Sequence, residues 1–357
     1  MADNKHYNQR NNNPSWNGYF SRKEETELDP YEGYACKGNL GLLFTRRYYG
    51  EINLKVLDKA SIRLEVITKK RTGEQVRKEI PTDHQTLYYK SRNKNIINQA
   101  KQFVTPESDQ MPTTNVTPLE LTTTYPGLLT GVGIPHAAKH NGEAMLGLVF
   151  DHTTGLPYIP GSSIKGLLRS LFPLQDLALA DKLEKKADDK DVKQNDAALL
   201  KKKALVLREK AGEKSKFITS RLPPDKKLSD QMIEALEKSI FIGLEYNKEN
   251  NCYEPSSKRD IFFDAFPSNA TNGLLGLDYI TPHTKGEFVD PTPIQFMRIN
   301  PGVTFRFPFT LHDTTLPDGT TISKSDKRQL FSAILTTVGI GAKTNVGYGQ
   351  LKASDGE

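Results

Sequence analysis

The chain has 357 residues, 49 Lys+Arg against 43 Asp+Glu for a formal net charge of +6, 36% hydrophobic residues and a mean hydropathy of −0.57. That length buries a full core and predicts about two domains, or one large domain with insertions. The lack of a long apolar run and the polar start Met1-Ala2-Asp3-Asn4-Lys5 predict no transmembrane helix and no secretory signal. Cys36 and Cys252 are too few for a disulfide framework or a cysteine zinc site, so a reducing cytoplasm is the expected compartment.

Residues 1–35 read as a flexible polar tail, low in complexity from Asn8 to Gly18 and acidic at Glu24, Glu25 and Glu27. Residues 36–118 are a basic extension and linker. The stretch 36–105 carries most of the positive surplus, net +9. Such a surplus favours a polyanionic partner, because neutralised phosphates release counterions; a solvated surface explains it equally well. Ile52, Leu54, Val56 and then Ile62, Leu64, Val66 alternate like half-buried strands. Lys69 to Gly73 make a basic loop, Tyr88, Tyr89, Lys90, Arg92 and Lys94 an auxiliary RNA or subunit surface, and 105–118, with Pro106, Pro112 and Pro118, a linker.

A denser order begins at residue 119 and is read as one core, 119–357. A strand at Leu119–Tyr125 continues at Leu128–Ile134, and an extended piece at Leu156–Ile159 leads to a helix at 163–171 closed by Pro173. Residues 174–238 are a charged helical insertion, richest in Lys, Asp and Ala over 176–230. Strands follow at Ile261–Ala265 and at Val303–Leu311, the cleanest period-2 run in the chain. A helix after Ser325, with Leu330, Phe331, Ile334, Leu335 and Val338 on one stripe, stops at Gly339. The last strand is expected at Val346–Leu351. Strand, helix, strand, strand, helix, strand predicts an α+β, ferredoxin-like (RRM-like) βαββαβ core. Its open sheet face is where RNA-recognition folds often bind single strands.

Two motifs carry candidate chemistry. In Gly161-Ser162-Ser163-Ile164-Lys165-Gly166-Leu167-Leu168-Arg169, Ser162 is the expected N-cap, and Ile164, Leu167, Leu168 and Leu171 face the core. Ser162, Lys165 and Arg169 share another face, which with the helix N-terminus makes a phosphate cradle; Gly166 permits close approach of a sheet or a ligand backbone. The bland alternative is a capped amphipathic helix with two snorkelling cations. The second motif is Gly339 to Gly349, in which glycines including Gly341 and Gly347 let another chain come close, and Lys343, Thr344 and Asn345 suit phosphate or ribose. It is no dinucleotide fingerprint, since Thr344 replaces the third glycine and no helix follows. No metal or cofactor is expected. His136, His140 and His152 are candidate acid–base groups of a nuclease, and Asp264 and Asp278 are isolated carboxylates with structural roles.

Together these motifs resemble the RAMP superfamily of CRISPR proteins. Gly155 through Arg169 looks like its first-helix signature, and Gly339 to Gly349 like its C-terminal glycine-rich loop. Asn39–Phe44, Leu129–Gly133 with Pro135-His136, Asp260–Pro267, Asp278–His283 and Pro291–Phe296 narrow the likeness to the sixth-subunit family of type III-B (Cmr) effectors. The resemblance implies a non-catalytic, cytoplasmic backbone subunit of an antiviral ribonucleoprotein. It would hold guide (crRNA) and target RNA towards the guide's 3′ end, between the repeating backbone subunit and the first Cmr subunit, with no membrane partner. Carried over by position, Gly161, Ser162, Ser163, Lys165, Arg169, Gly341, Lys343, Thr344, Asn345 and Gly347 are the RNA contacts. The competing expectation is an endoribonuclease of the same superfamily that uses a loop histidine.

Overall fold

The computed structural model describes residues 39–45, 48, 61–68, 75–82, 84–101, 116–131, 142–144, 148–189, 192–281 and 293–354. The tail 1–35, the strand expected at 52–57, the loop 69–73, most of the linker, His136 and His140 lie outside the described residues.

The elements run in order α1 (Leu40–Thr45), β1 (Ser61–Thr68), β2 (Gln75–Thr82), α2 (His84–Ala100), β3 (Val116–Thr123), α3 (Gly161–Ser170), α4 (Leu174–Ala187), α5 (Gln194–Arg221) and α6 (Asp230–Glu237). A π-helical turn, Lys238–Ile242, leads to β4 (Leu244–Asn247), β5 (Cys252–Pro255), β6 (Ile261–Phe262), β7 (Phe266–Ala270), β8 (Leu275–Ile280), β9 (Ile294–Ile299) and β10 (Val303–Thr310). Then come β11 (Thr314–Thr315), β12 (Thr321–Ile322), α7 (Lys324–Val338), a 3₁₀ turn at Thr344–Val346, and β13 (Leu351–Ala353). The class is α+β.

The central sheet is antiparallel, in the order β13, β3, β10, with β6 and β7 sharing the far side of β10. Alternation in β10 puts Val303, Phe305, Phe307 and Phe309 on one fully buried face. Leu119 and Leu121 of β3, Ile164 and Leu168 of α3, and Leu330, Phe331, Ile334 and Leu335 of α7 complete that core. Each such side chain contributes about 1.5–3 kcal/mol by leaving water. The opposite face holds half-buried polar pairs: Thr122 Oγ1 to Thr304 Oγ1 at 2.9 Å and Arg306 Nε to Glu120 Oε1 at 3.0 Å. On these two central strands it therefore presents threonines and an ion pair, without the aromatic side chains on which an RNA-recognition sheet stacks bases.

Several expectations need correction. The strand expected at Ile261–Ala265 is cut to β6, Ile261–Phe262: Asp264 accepts the Gly161 N–H, Ala265 makes an isolated bridge to Ile159, and pairing with β10 resumes only in β7. Val346–Leu351 is not a strand throughout: positive φ at Gly347 (93°) and Gly349 (76°) curls the chain, and only β13 joins the sheet. Past β3, the extended segment at Leu128 makes one isolated pairing, with Ile299. The helix expected after Ser325 begins earlier, at Lys324, capped by Ser323 in a capping box with Asp326. The surface expected of Tyr88, Tyr89 and Arg92 is interior: all three are buried on one side of α2, where Tyr88 and Tyr89 pack with Phe44 and Tyr48, while Lys90 and Lys94 stay exposed. The hairpins β4–β5 and β8–β9 had no clear sequence signal.

Candidate nucleic-acid interface

Helix α3 begins at the β6 edge of the sheet. The Gly161 N–H donates to Asp264 Oδ1 at 2.7 Å, and a Cβ on Gly161 would lie 2.3 Å from the Phe262 carbonyl oxygen, so only glycine fits. Ser162 is not the N-cap. Pro160 holds that position without a side-chain cap, and Ser162 and Ser163 are exposed in the first turn. The acceptor a capping serine would supply comes instead from Asp264, whose carboxylate also suits the positive end of the helix. The expected phosphate cradle thus has one of its N–H groups already engaged by an internal anion.

The inner face of α3 follows the sequence: Ile164 and Leu168 are buried and Leu167 and Leu171 half-buried. Gly166 faces open space, with nothing within 4 Å of a Cβ built on it, so it makes no close approach to the sheet. Lys165 Nζ lies 5.8 Å from the Phe262 ring centroid. Arg169 Nε lies 3.6 Å from Glu237 Oε1; the arginine side chain is 42% exposed and the glutamate 0%. Glu237 Oε2 also accepts the Leu174 N–H, the first of α4, at 2.9 Å. Burial pushes the Glu237 carboxyl above its ordinary range, with Leu174 and Arg169 pulling it partly back. Beside this helix opens a cleft of about 690 Å³ that brings Arg169, Lys182 and Lys238 next to Leu174, Leu179 and Ile242.

The glycine-rich loop is built against the segment that follows β3. Ile340 N–H bonds Gly349 O at 2.9 Å, Ala342 N–H bonds Leu129 O at 2.9 Å, and Gly349 N–H bonds Gly127 O at 2.7 Å. At Gly341 (φ 98°) a Cβ would sit 2.2 Å from Leu129 O, and at Gly349 one would sit 1.9 Å from Ile340 O. The close backbone partner of these glycines is therefore their own chain. Between the pinned ends, Lys343 adopts a left-handed conformation (φ 59°), Asn345 and Val346 are exposed, and Thr344 and Gly347 are half-buried. Buried Tyr348 donates to Asp278 Oδ2 at 2.8 Å, and Arg298 Nε lies 3.0 Å from the same oxygen, which gives Asp278 its structural role. Burial, then the bond to Asp278, raises the Tyr348 pKa.

The two candidate sets are not one cluster. Helix α3 starts at β6 and the loop leads into β13, at opposite edges of the sheet, about 14 Å apart at three strand spacings. His152 is exposed in a turn held by Asp151, whose Oδ2 accepts from Thr153 Oγ1 and from Thr154 N–H and Oγ1; its carbonyl accepts from Asn39 Nδ2 at 3.2 Å. Asn39 Oδ1 in turn accepts the Leu42 N–H of α1. Among the described residues no group of three His, Cys, Asp or Glu side chains is placed to hold a metal, and no helix is long and apolar enough to cross a membrane. Tyr125, beside the loop, is expected from the sequence only as the end of a strand; β3 stops at Thr123, and Tyr125 stands exposed before the turn Pro126-Gly127.

The sequence model of the RAMP superfamily matches residues 120–352, from β3 through β13, and so spans both motifs. The chain belongs to the RAMP superfamily. It is 28% identical over 219 residues to the CRISPR system Cmr subunit Cmr6 of Pyrococcus furiosus, covering 55% of this RAMP chain and 58% of that protein. The match thus spans little more than half of that relative's length. Among solved structures, the RAMP protein is similar to a chain in the cryo-EM structure of type III-B Cmr-beta bound to cognate target RNA (17% identity, 92% and 94% of the two chains, TM-score 0.42). It is also similar to the crystal structure of Cmr6 from Pyrococcus furiosus (20% identity, 68% and 99% of the two chains, TM-score 0.31).

Proposed function

We propose that this RAMP protein is a non-catalytic, RNA-holding backbone subunit of a type III-B CRISPR (Cmr) effector, a counterpart of Cmr6. It binds the guide RNA towards its 3′ end, beside the repeating backbone subunit and the first Cmr subunit, in the cytoplasm. The core is read as ferredoxin-like: the first and third strands of the βαββαβ order (β3, β10) are central, and the fourth (β13) and second (β6 with β7) flank them.

One observation carries the RNA assignment. The glycine-rich loop is fixed at both ends by backbone bonds, yet presents Lys343 and Asn345 at its turn. A rigid backbone turn with a cation and an amide suits phosphate and ribose, which every nucleotide shares, rather than base edges. Lys165 and Arg169, at the other edge, supply a second backbone contact, and base pairing supplies the specificity. Filter binding of the full chain to guide RNA across a salt series tests this. Lys343→Ala should weaken binding alike for any sequence and lower the salt slope by about one, and Lys165→Ala with Arg169→Ala by about two. Unchanged binding in both variants removes the assignment. Metal-independent RNA cleavage by the purified chain that is lost in His136→Ala or His152→Ala would favour the endoribonuclease instead.

A further inference from the structure

The most exposed large hydrophobic residue among the described ones is Tyr125, at 84%. Its backbone is held tightly for so open a side chain. Thr124 N–H bonds Gln350 O at 3.0 Å, Thr124 Oγ1 donates to the same oxygen at 3.2 Å, Pro126 is buried, and Gly127 O accepts the Gly349 N–H. The partners are all residues of the glycine-rich loop or its exit. A Cβ on Gly347 would lie 3.4 Å from Pro126 Cδ, so Tyr125 and Val346, which is 58% exposed, stand one residue to either side of that contact. Tyr279, another exposed tyrosine, accepts a hydrogen bond from Gln295 Nε2; Tyr125 makes no side-chain hydrogen bond among the described residues.

We infer that Tyr125 is a base-stacking residue for single-stranded RNA, with Val346 beside it and Lys343 on the adjoining phosphate. The inference rests on the RNA-holding role and adds what that role lacks, a surface for a base. A phenol ring offers a flat face of low conformational entropy, and stacking on such a face tolerates any base, as a guide-holding site requires. The polar face of β3 and β10 offers no ring for this purpose, whereas Tyr125 stands just past the end of β3, beside the loop.

The test uses the full chain and a fluorescein-labelled single-stranded RNA of mixed sequence without stable pairing, with affinity measured from 50 to 300 mM salt. Tyr125→Ala should weaken binding about tenfold at every salt concentration and leave the salt slope unchanged, because stacking releases no counterions. Tyr125→Phe and Tyr125→Trp should stay within about twofold of the parent. An unchanged thermal melt is expected for Tyr125→Ala, since the side chain is exposed. If Tyr125→Ala binds like the parent while Lys343→Ala is weakened, stacking is wrong and the RNA-holding loop stands. If both bind like the parent, the loop reading itself fails. Weakening by Tyr125→Phe as severe as by Tyr125→Ala would assign the hydroxyl rather than the ring. Tyr125→Ala binding RNA normally but failing to copurify a neighbouring subunit would make the site a protein contact, which also overturns the inference.

Discussion

Lys327 projects from the first turn of α7 into the interior, where Asp260 Oδ2 meets its ammonium at 2.6 Å; both side chains are almost wholly buried. Burial pulls the lysine pKa down, and Asp260 opposes that shift. The other Asp260 oxygen accepts the His312 backbone N–H at 2.8 Å, so one carboxylate joins the β5–β6 connection, the end of β10 and α7. Removing one member leaves a charge in the core: Lys327→Ala should cost about 3–5 kcal/mol, read as a lowered denaturant midpoint. An equal midpoint would mean that water reaches Asp260. Its neighbour Asp326 behaves differently. Burial pushes that carboxyl up, but Lys226 and the Ser323 N–H more than offset this and hold its pKa below the ordinary value. A carboxyl pKa lowered by folding stabilises the protein above the unfolded pKa, and the stabilisation fades as pH falls. Asp326→Asn should therefore be less stable than the parent at pH 7 by about 1 kcal/mol, with the gap closing below about pH 4. A gap that persists on acidification would assign the effect to the hydrogen-bond geometry alone.

At the scale of elements, the glycines of the two motifs separate into those that the fold demands and one that it does not. Gly166 lies within α3 with open space around it, so Gly166→Ala meets no clash and should raise stability by about 0.5–1 kcal/mol. Gly341→Ala forces a Cβ against the Leu129 carbonyl at a left-handed φ and should destabilise the loop. If RNA approaches the bare backbone at Gly166, the alanine variant will be more stable yet bind guide RNA less tightly; a variant that gains stability and keeps affinity would place the contact elsewhere. The same contrast marks what the sequence could say. Period-2 alternation in β10 and the stripe on α7 were legible because those signals are local. The cap on α3 was not, because its acceptor, Asp264, lies 103 residues away in the chain. Helix α2 is a case of a signal obscured. Tyr88, Tyr89, Arg92, Asn93, Ile96 and Ala100 trace a buried helical stripe, but the lysines between them suggested a binding surface.

For the whole molecule, net charge and the proposed RNA-holding loop point to different places. Part of the positive charge of the insertion is paired within it, on and beside α4 and α5. Arg208 meets Asp181 and Glu184, each at 2.7 Å, Lys201 meets Asp188 at 2.9 Å, and Lys214 pairs with Asp176. The Arg208 and Lys201 pairs are exposed and that of Lys214 with Asp176 is largely buried; together they join the two helices but leave the insertion's excess of cations in place. The glycine-rich loop, by contrast, lies in a net acidic part of the chain and carries one cation, Lys343, on a backbone held in place at both ends. On the proposed reading the place of a cation, beside an anchored glycine-rich turn, should outweigh the number of cations elsewhere. Replacing both Lys202 and Lys203 of α5 by Ala removes two exposed charges, Lys343→Ala only one. On the loop reading, the double variant should leave the salt slope of guide-RNA binding unchanged, and the single variant should lower it by about one. A slope lowered by about two in the double variant, with none lost in Lys343→Ala, would move the RNA path onto the helical insertion and return the basic surplus to the role that charge alone first suggested.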